Sequence, residues 1–359
     1  MSKLKITIYH IIFVVFIILP VPSWFLLKDK FDTENYEYRT LSTVPDMKTT
    51  GITAYPAAFE GYFNDNLPYK NELVEADSAV RYFGFKSSSE ADVLIGKDDW
   101  LFSGGSPEYY RGKNLLTEEE LETLAVSMNE ADEFFKSRGC DFIIYFAPGK
   151  ERIYPEYMPD AYGEPAEEHM MKQIAAYLRE HTDIKVIEGE TALSAYKKEH
   201  PDTQTYLRYD THWNEQGGYV GASELSEYLG YPMKDLSDIT VIEENYPQKN
   251  LARLLHLQDL LNDDHSRVLK DFGENGYKYD ITNGDMHFYN PDGTDERKVM
   301  VIGDSFRVFM QQYGLKDFKE GYSDQYYNYS REVFDEYEPD IFIYESYEYL
   351  IFNLRNFKP

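Results

Sequence analysis

The sequence has 359 residues, of which 42% are hydrophobic and 16% aromatic, enough for a sizeable buried core and too many for an intrinsically disordered chain. Lys and Arg total 36 against 64 Asp and Glu, so the formal net charge is −28. A field of this sign repels polyanions, which disfavours nucleic acid as a partner, and also an acidic polysaccharide unless a local basic cleft offsets it. The single cysteine, Cys140, excludes an intramolecular disulfide, and the apolar run after it predicts a core thiol rather than a nucleophile.

The N-terminal stretch of residues 6–27 is almost wholly apolar. Its length matches the roughly 20 residues that a helix needs to cross a bilayer. Lys3 and Lys5 precede it and favour a cytoplasmic N-terminus, so we expect residues 1–30 to be an uncleaved signal anchor. The alternative is a cleaved secretory signal peptide whose helix ends at Pro20 or Pro22, although no clear A-x-A site follows. Both interpretations predict a single-pass or secreted protein whose remaining chain lies outside the cytoplasm.

The elements that follow are taken in chain order. Residues 31–90 predict an extended and then helical lead-in, with a helix over residues 59–85 that is interrupted at 66–68. Residues 92–102 predict a β-hairpin, and Thr117-Glu118-Glu119-Glu120 predicts a capping box that opens a helix.

The rest of the chain alternates between short apolar strands and helices. Predicted strands lie at residues 142–146, 185–187, 298–302 and 341–344, and predicted helices at residues 117–138, 167–181, 214–229 and 306–313. Such alternation is typical of an α/β layer fold with a mostly parallel sheet. We therefore expect one such domain over residues 91–359.

A serine follows one of these strands at a position suited to chemistry. Residues 299–306 read Val-Met-Val-Ile-Gly-Asp-Ser-Phe, an apolar strand that ends at Gly303, with a helix expected just after Ser305. The Ser305 hydroxyl is then predicted at the carboxyl edge of a parallel strand, where open α/β sheets bind ligands, and at a helix N-terminus that can stabilise an oxyanion. The alternative is that Asp304 or Ser305 only caps the helix.

A carboxylate and an imidazole lie close together in Tyr209-Asp210-Thr211-His212-Trp213-Asn214. A serine hydroxyl is a weak nucleophile that needs a neighbouring base, and the base needs an acidic partner to hold its tautomer. His212 and Asp210 have the residue types for these two roles. The alternative is that Asp210 is a helix N-cap and His212 an ordinary first-turn residue.

Taken together, Asp210-Thr211-His212-Trp213 and Gly303-Asp304-Ser305-Phe306 resemble the paired motifs of the DHHW and alginate O-acetyltransferase (AlgX/AlgJ) group of SGNH-hydrolase-like proteins. Further stretches are similar to motifs of that group at residues 59–68, 95–102, 147–155 and 339–345. The chain departs from the group's pattern in having Thr211 as the second residue of Asp-His-His-Trp, Gly149 where Asn is usual and Tyr349 where a basic residue is common.

The resemblance implies an SGNH-hydrolase-like three-layer fold and a triad of Ser305, His212 and Asp210, in the reverse of the chain order of ordinary SGNH hydrolases. In the mechanism expected of such a triad, the backbone N–H of Ser305 forms part of the oxyanion hole. Neither a metal nor an organic cofactor is expected, and Asp263-Asp264-His265 lacks the regular spacing of a metal site. By resemblance, the acetyl group comes from a membrane-bound O-acyltransferase (MBOAT) partner.

Three further residues are candidates for substrate binding or oxyanion support. Lys150 follows a strand and either faces the same cleft or is a surface lysine. Trp213 either stacks on a sugar or packs beneath His212, and packing is the better interpretation. Arg307 lies two residues past Ser305 and either reaches the substrate or points away. His287 alternates like a residue of an edge strand, and His212 is the preferred base.

The predicted function is extracytoplasmic O-acetyl transfer to hydroxyls of a cell-surface or secreted polysaccharide. A carbohydrate acetyl-esterase is the first alternative, because water differs from a sugar hydroxyl only in its access to the acyl-enzyme. A non-catalytic glycan-binding or assembly subunit is the second. The net charge further predicts a neutral or amino-sugar-containing acceptor.

Overall fold

The computed structural model describes residues 3–18, 22, 26, 30, 32, 34–36, 39–67, 69–245, 249–262, 265–269, 278–282 and 285–359. The chain forms two compact units. One consists of Met1–Val93 with Ala252–Leu261, and the other of Leu94–Leu251 with Asn262–Pro359.

The first unit is helical. Its helices are Lys3–Ile18, Met47–Thr50, Tyr55–Asp65, Lys70–Ala79 and a π-helix at Val80–Phe85. The break that the sequence predicts at residues 66–68 separates the helix Tyr55–Asp65 from the helix Lys70–Ala79. Among the described residues, no helix is both long and apolar enough to cross a membrane. Much of the predicted span beyond Ile18 lies outside those residues.

The remaining elements include the alternating strands and helices that the sequence predicts, together with strands that it does not. The strands are β1 (Val93–Ile95), β2 (Leu101–Ser103), β3 (Asp141–Ala147), β4 (Lys185–Glu188), β5 (Val241–Asn245), β6 (His265–Leu269), β7 (Lys278–Thr282), β8 (Asp285–Tyr289), β9 (Val299–Gly303), β10 (Glu320–Gln325) and β11 (Ile341–Tyr347). The α-helices are Ser106–Tyr110, Glu118–Lys136, Lys150–Ile153, Met170–His181, Gly189–Glu199, Glu215–Gly221, Ser223–Tyr228, Asn250–Leu254, Arg307–Gly314 and Arg331–Tyr337. A 3₁₀ segment, Glu348–Asn356, follows β11.

Among the described residues, seven strands form the central sheet in the order β4-β3-β11-β9-β10-β8-β7. The first five strands are parallel, and β8 and β7 add an antiparallel end. The mostly parallel sheet is therefore confirmed. His287 lies in β8, which is paired on both sides, so its assignment to an edge strand is wrong: β7 covers that edge.

Apolar side chains cover both faces of the sheet. On one face, Ile143, Tyr145, Val301 and Ile343 pack with Val220 and Leu225 from the helices after the histidine motif. On the other face, Phe142, Ile144, Ile302 and Phe342 pack with residues of Glu118–Lys136 and Met170–His181. Because helices cover both faces, the strands are apolar runs rather than alternating ones. Cys140 is buried in the second core, as expected.

Two predicted helices show how local chemistry decides element boundaries. Thr117 and Glu120 form the predicted capping box of Glu118–Lys136. The helix predicted over residues 214–229 is instead two helices, Glu215–Gly221 and Ser223–Tyr228. The first turn of Glu215–Gly221 packs tightly against the chain before it, because a Cβ on Gly217 would lie 2.8 Å from the Trp213 Cβ.

Candidate active site

Ser305 lies two residues beyond β9 and just before the helix Arg307–Gly314, at the carboxyl edge of the parallel strands. Its side chain is exposed, and its Oγ lies 2.6 Å from His212 Nε2. Among the described residues, none accepts a hydrogen bond from the Ser305 backbone N–H. The Ser305 hydroxyl is therefore exposed and within hydrogen-bond distance of the imidazole, and the Ser305 N–H has no acceptor among the described residues.

His212 connects the serine to a carboxylate. Its Nδ1 lies 2.7 Å from Asp210 Oδ1, and its side chain is 24% exposed. Because an ionised carboxylate can only accept, Nδ1 carries the proton and donates to Asp210, which leaves Nε2 to accept from the Ser305 hydroxyl. The Phe306 ring, 4.9 Å from the imidazole centroid, supports the histidine ring from the side of the serine helix.

Asp210 is buried and held from several directions. Oδ1 accepts from the His212 backbone N–H at 3.0 Å as well as from the imidazole, and Oδ2 accepts from the Asn250 N–H at 2.7 Å. The Asn250 side chain accepts in turn from the Thr211 N–H at 2.8 Å. These bonds fix the carboxylate in the orientation in which it faces the ring. Asn250 was not predicted as a partner of Asp210, because it lies 40 residues away in the chain and no local pattern connects the two.

The helix-capping alternatives can be tested directly. Asp304, not Ser305, caps the turn before the helix, since its Oδ1 accepts from the Phe306 N–H at 2.9 Å. Asn214, not Asp210, is the N-cap of Glu215–Gly221, since its side chain accepts from the Gly217 N–H. Capping therefore leaves the Ser305 hydroxyl, His212 and Asp210 available for one another.

The protonation equilibria of the pair favour an Asp210 carboxylate beside a basic imidazole. Burial alone lowers the pKa of His212, but the Asp210 charge and its hydrogen bond outweigh burial, so the pKa lies above the ordinary 6.5. Burial raises the pKa of Asp210, yet the His212 charge and the hydrogen bonds from His212 and Asn250 bring it below 3.8. Near neutral pH the carboxylate is ionised and the ring can act as a proton acceptor.

The three candidates for substrate binding or oxyanion support, Lys150, Trp213 and Arg307, are buried and contact other residues of the protein. Lys150 is only 2% exposed, and its ammonium donates to backbone carbonyl oxygens, so it is not a surface lysine. Trp213 is fully buried with its ring edge against Phe306, 5.1 Å between centroids, and has no free face for a sugar. Arg307 is buried and donates to Ser323 Oγ and to the Asp304 carbonyl oxygen, so it points away from the cleft. These contacts agree with the packing expected of Trp213 and with the alternative in which Arg307 points away from the substrate, and they place the Lys150 ammonium inside the protein rather than on its surface.

Sequence reasoning missed a buried carboxyl cluster beneath the serine turn. Glu345, in β11, accepts from the Asp304 N–H at 3.0 Å, while Asp304 Oδ2 accepts from the Tyr347 N–H at 2.6 Å. Burial, and then the nearby Asp304 charge, raises the pKa of Glu345 well above its ordinary 4.5. The signal was a glutamate that directly follows the apolar and aromatic run Ile-Phe-Ile-Tyr within one buried strand.

A second buried network lies at the ends of β3 and β11. Glu348 accepts from the Gly149 N–H at 2.9 Å and contacts His169 Nδ1 at 3.1 Å and Arg152 Nε at 3.4 Å. Beside it, Glu151 accepts from the Tyr349 hydroxyl at 2.6 Å. Burial and then the Glu348 charge raise the pKa of Glu151 to about 7. Tyr349, which replaces a basic residue common in the group, thus serves as a donor to a buried carboxyl.

The described residues contain no group of three or more His, Cys, Asp or Glu side chains arranged to hold a metal ion. Asp263 and Asp264 lie outside those residues, as does the side chain of His265.

Comparison with known proteins identifies the class to which this fold and site belong. The family described as "SGNH hydrolase-like domain, acetyltransferase AlgX" matches residues 93–324. The match covers more than half of the 359 residues, and the chain belongs to this family.

Individual relatives agree with that assignment. "Probable alginate O-acetylase AlgJ" of Pseudomonas aeruginosa is 23% identical over 205 residues, which are 57% of this chain and 49% of the relative. The chain thus spans about half the length of the curated relatives it matches. The solved structure of Bacillus cereus PatB1 with a sulfonyl adduct matches 74% of this chain and 100% of its own, with a TM-score of 0.54 and 14% identity. A DHHW family protein from Eubacterium siraeum matches 74% of this chain and 97% of its own, with a TM-score of 0.50 and 14% identity. The two structures share the fold.

Proposed function

We propose that this protein is an O-acetyltransferase that moves an acetyl group through a Ser305 acyl-enzyme onto hydroxyls of a polysaccharide. The observation that carries the proposal is the continuous hydrogen-bonded series from the exposed Ser305 Oγ through His212 to the buried Asp210. Membership of the acetyltransferase AlgX family and the similarity to a probable alginate O-acetylase support acetyl transfer as the reaction.

The first half-reaction forms the acyl-enzyme. As Ser305 Oγ attacks the acetyl carbonyl carbon of the donor, His212 Nε2 takes the hydroxyl proton, and the Asp210 carboxylate stabilises the imidazolium. The carbonyl oxygen becomes an oxyanion, which the Ser305 backbone N–H stabilises by donating a hydrogen bond. The bond to the donor's leaving oxygen then breaks, and His212 returns the proton to that oxygen.

The second half-reaction repeats these steps with a sugar hydroxyl as nucleophile. His212 takes the sugar hydroxyl proton while the sugar oxygen attacks the acetyl carbon of the acyl-enzyme. Collapse of the intermediate breaks the bond to Ser305 Oγ, which regains a proton from His212. Water can replace the sugar because Ser305 is exposed, and the same site would then act as an esterase.

The partners and location are part of the same proposal. The apolar stretch of residues 6–27 supports attachment to a membrane, with the acyltransferase domain of residues 91–359 outside the cytoplasm and residues 31–90 as its lead-in. We infer that an MBOAT-type membrane protein supplies the acetyl group, as the resemblance to the AlgX/AlgJ group implies. The net charge of −28 favours a neutral or amino-sugar-containing acceptor over a polyuronate.

Incubation with a chromogenic acetyl ester, with and without an oligosaccharide, tests the function. A transferase yields acetylated oligosaccharide and its turnover rises with acceptor concentration, whereas an esterase yields acetate at a rate that the acceptor does not change. Ser305→Ala should abolish either activity, because loss of a triad nucleophile costs several powers of ten. Failure of wild type and Ser305→Ala to differ would exclude Ser305 as the nucleophile.

The acceptor is tested separately by comparing a neutral glycan with a polyuronate at low and high salt. We expect preference for the neutral glycan at low salt, and a smaller difference at high salt as screening reduces repulsion. Preference for the polyuronate that weakens with salt would instead require a basic cleft.

A further inference from the structure

Lys150 is the first residue of the helix Lys150–Ile153, three residues after β3 ends at Ala147. Although lysine is usually exposed, this side chain is 2% exposed. Its Nζ donates to the carbonyl oxygens of Leu207 at 3.0 Å, Arg208 at 3.2 Å and Asp210 at 2.7 Å. Three acceptors match the three N–H groups of an ammonium.

The three carbonyl groups belong to the turn that carries Asp210. Tyr206 and Trp213 form an antiparallel bridge, and the Leu207 N–H donates to the His212 carbonyl oxygen at 3.1 Å. Asp210 therefore lies in the turn of a short hairpin, and the carbonyl oxygens of that turn converge on one point. Converging carbonyl dipoles repel one another unless a cation lies between them, and Lys150 supplies that cation.

Other contacts fix the backbone just before Lys150 and surround its ammonium. The Gly149 N–H donates to Glu348 Oε2 at 2.9 Å, and the Tyr206 hydroxyl donates to the Pro148 carbonyl oxygen at 2.7 Å. The rings of Trp100 and Phe102 lie 5.6 and 5.2 Å from Nζ, where they stabilise its charge. A support that is itself buried and fixed can transmit its position to the turn.

We propose that Lys150 is a positioning residue that holds the Asp210 turn, and through it the carboxylate, in contact with His212. This inference rests on the proposed function for its effect on the rate, but its structural part does not depend on it. The ammonium also lies close enough to the imidazole to oppose its protonation. Lys150 would thus keep the ring oriented while limiting the rise in its pKa that Asp210 causes.

A double-mutant cycle tests the proposal. Lys150→Met keeps the length of the side chain and removes its donors, and we expect kcat for an acetyl ester to fall about 10- to 100-fold, as misplacement of a catalytic group by about 1 Å does. KM should change less than about 3-fold, since Lys150 does not touch the substrate. In an Asp210→Ala background the same substitution should cost less than about 2-fold, because residues that act through one another are not additive. Lys97→Met, at an exposed lysine paired with Asp160, is the matched control and should retain wild-type kcat.

Lys150→Gln replaces the ammonium by an amide that can still donate two hydrogen bonds. The kcat of this variant should therefore lie between those of wild type and Lys150→Met. This variant carries the test if Lys150→Met does not fold. Equal losses in the wild-type and Asp210→Ala backgrounds, or a rise in KM with unchanged kcat, would overturn the proposal.

A measurement independent of turnover separates this proposal from the proposed function. The 2.7 Å bond from His212 Nδ1 to Asp210 should give a downfield proton resonance in NMR spectra of wild type and Lys97→Met, and the resonance should be lost in Lys150→Met. If wild type shows no acetyl turnover but the resonance behaves in this way, the function is wrong and the role of Lys150 stands. If turnover is present and both the resonance and kcat survive in Lys150→Met, the function stands and the role of Lys150 is wrong.

Discussion

Replacing Asp210 by Asn removes the charge of the proposed triad acid while keeping its size. In the wild type, Oδ1 accepts from both the backbone N–H and the Nδ1–H of His212, and Oδ2 accepts from the Asn250 N–H. An amide has one oxygen for these three donors. Either its NH2 group faces the Asn250 N–H, or the amide rotates and its NH2 group faces His212 Nδ1. In the second orientation, His212 Nδ1 becomes the acceptor and the ring proton moves to Nε2. A protonated Nε2 can no longer accept a hydrogen bond from the Ser305 hydroxyl.

The size of the effect follows from this loss of tautomer control. We expect kcat to fall about 10²- to 10⁴-fold, which corresponds to about 3–5 kcal/mol of lost transition-state stabilisation. The Asp210 charge raises the pKa of His212, so the substitution by Asn should lower that pKa. The residual activity of Asp210→Asn should therefore persist to lower pH than the activity of the wild type.

Initial rates on a chromogenic acetyl ester between about pH 5 and 9 measure both effects. Asp132→Asn, at a buried aspartate paired with Lys136 in a helix that packs on the opposite face of the sheet, is a matched control that should keep the wild-type rate and profile. A rate above about a tenth of wild type in Asp210→Asn, or an acid limb that stays in place, would refute the role of Asp210 in holding the imidazole.

Because the pKa of His212 is raised, the wild-type rate should fall as the pH is lowered, with a single-proton transition whose midpoint lies above pH 6.5. A rate that stays constant down to about pH 5 would exclude histidine as the base. Gly303→Ala would bring a Cβ within 2.8 Å of the Glu345 Cβ and backbone oxygen, so thermal unfolding should show a loss of about 1–3 kcal/mol; an unchanged midpoint would contradict that crowding. Trp213→Ala removes a fully buried indole and should cost about 3–5 kcal/mol in urea unfolding, whereas a loss below about 1 kcal/mol would mean that the side chain is not packed as described. Cys140 is buried and burial raises its pKa to about 12, so iodoacetamide should label it only after denaturant is added, and labelling of the native protein would contradict its place in the core.

The elements that sequence predicted best are those whose local pattern and final environment agree. Strands β3, β9 and β11 are buried on both faces, and their continuous apolar runs show this directly. Strand β10 was missed because its sequence, Glu-Gly-Tyr-Ser-Asp-Gln, is polar. Ser323 and Asp324 in that strand are buried only because other residues satisfy them: Arg307 donates to Ser323, and Asn328 donates to Asp324. Such partners are brought together by the tertiary fold and leave no local pattern.

The site shows the same division. Ser305 and His212 lie 93 residues apart, so their pairing was predicted from the resemblance of the motifs, and the 2.6 Å contact comes from the fold. Lys150 was a candidate for the substrate because it follows a strand end, and Arg307 because it lies two residues past Ser305. The structure buries both, since backbone carbonyl oxygens satisfy the ammonium and Asp304 and Ser323 satisfy the guanidinium. Residue type alone does not show whether a charge faces solvent or a buried acceptor.

The acyl-enzyme is the central claim, and detecting it on Ser305 is its most direct test. Protein that is turning over an acetyl ester would be quenched in acid and digested, and the peptide containing Ser305 would be examined by mass spectrometry. The account predicts an acetyl group on Ser305 that disappears when an acceptor oligosaccharide is added before the quench, and that is absent from His212→Ala quenched at the same time. Turnover with no acetyl group on Ser305 under conditions that trap the intermediate, or acetylation of a different residue that the acceptor discharges, would contradict it.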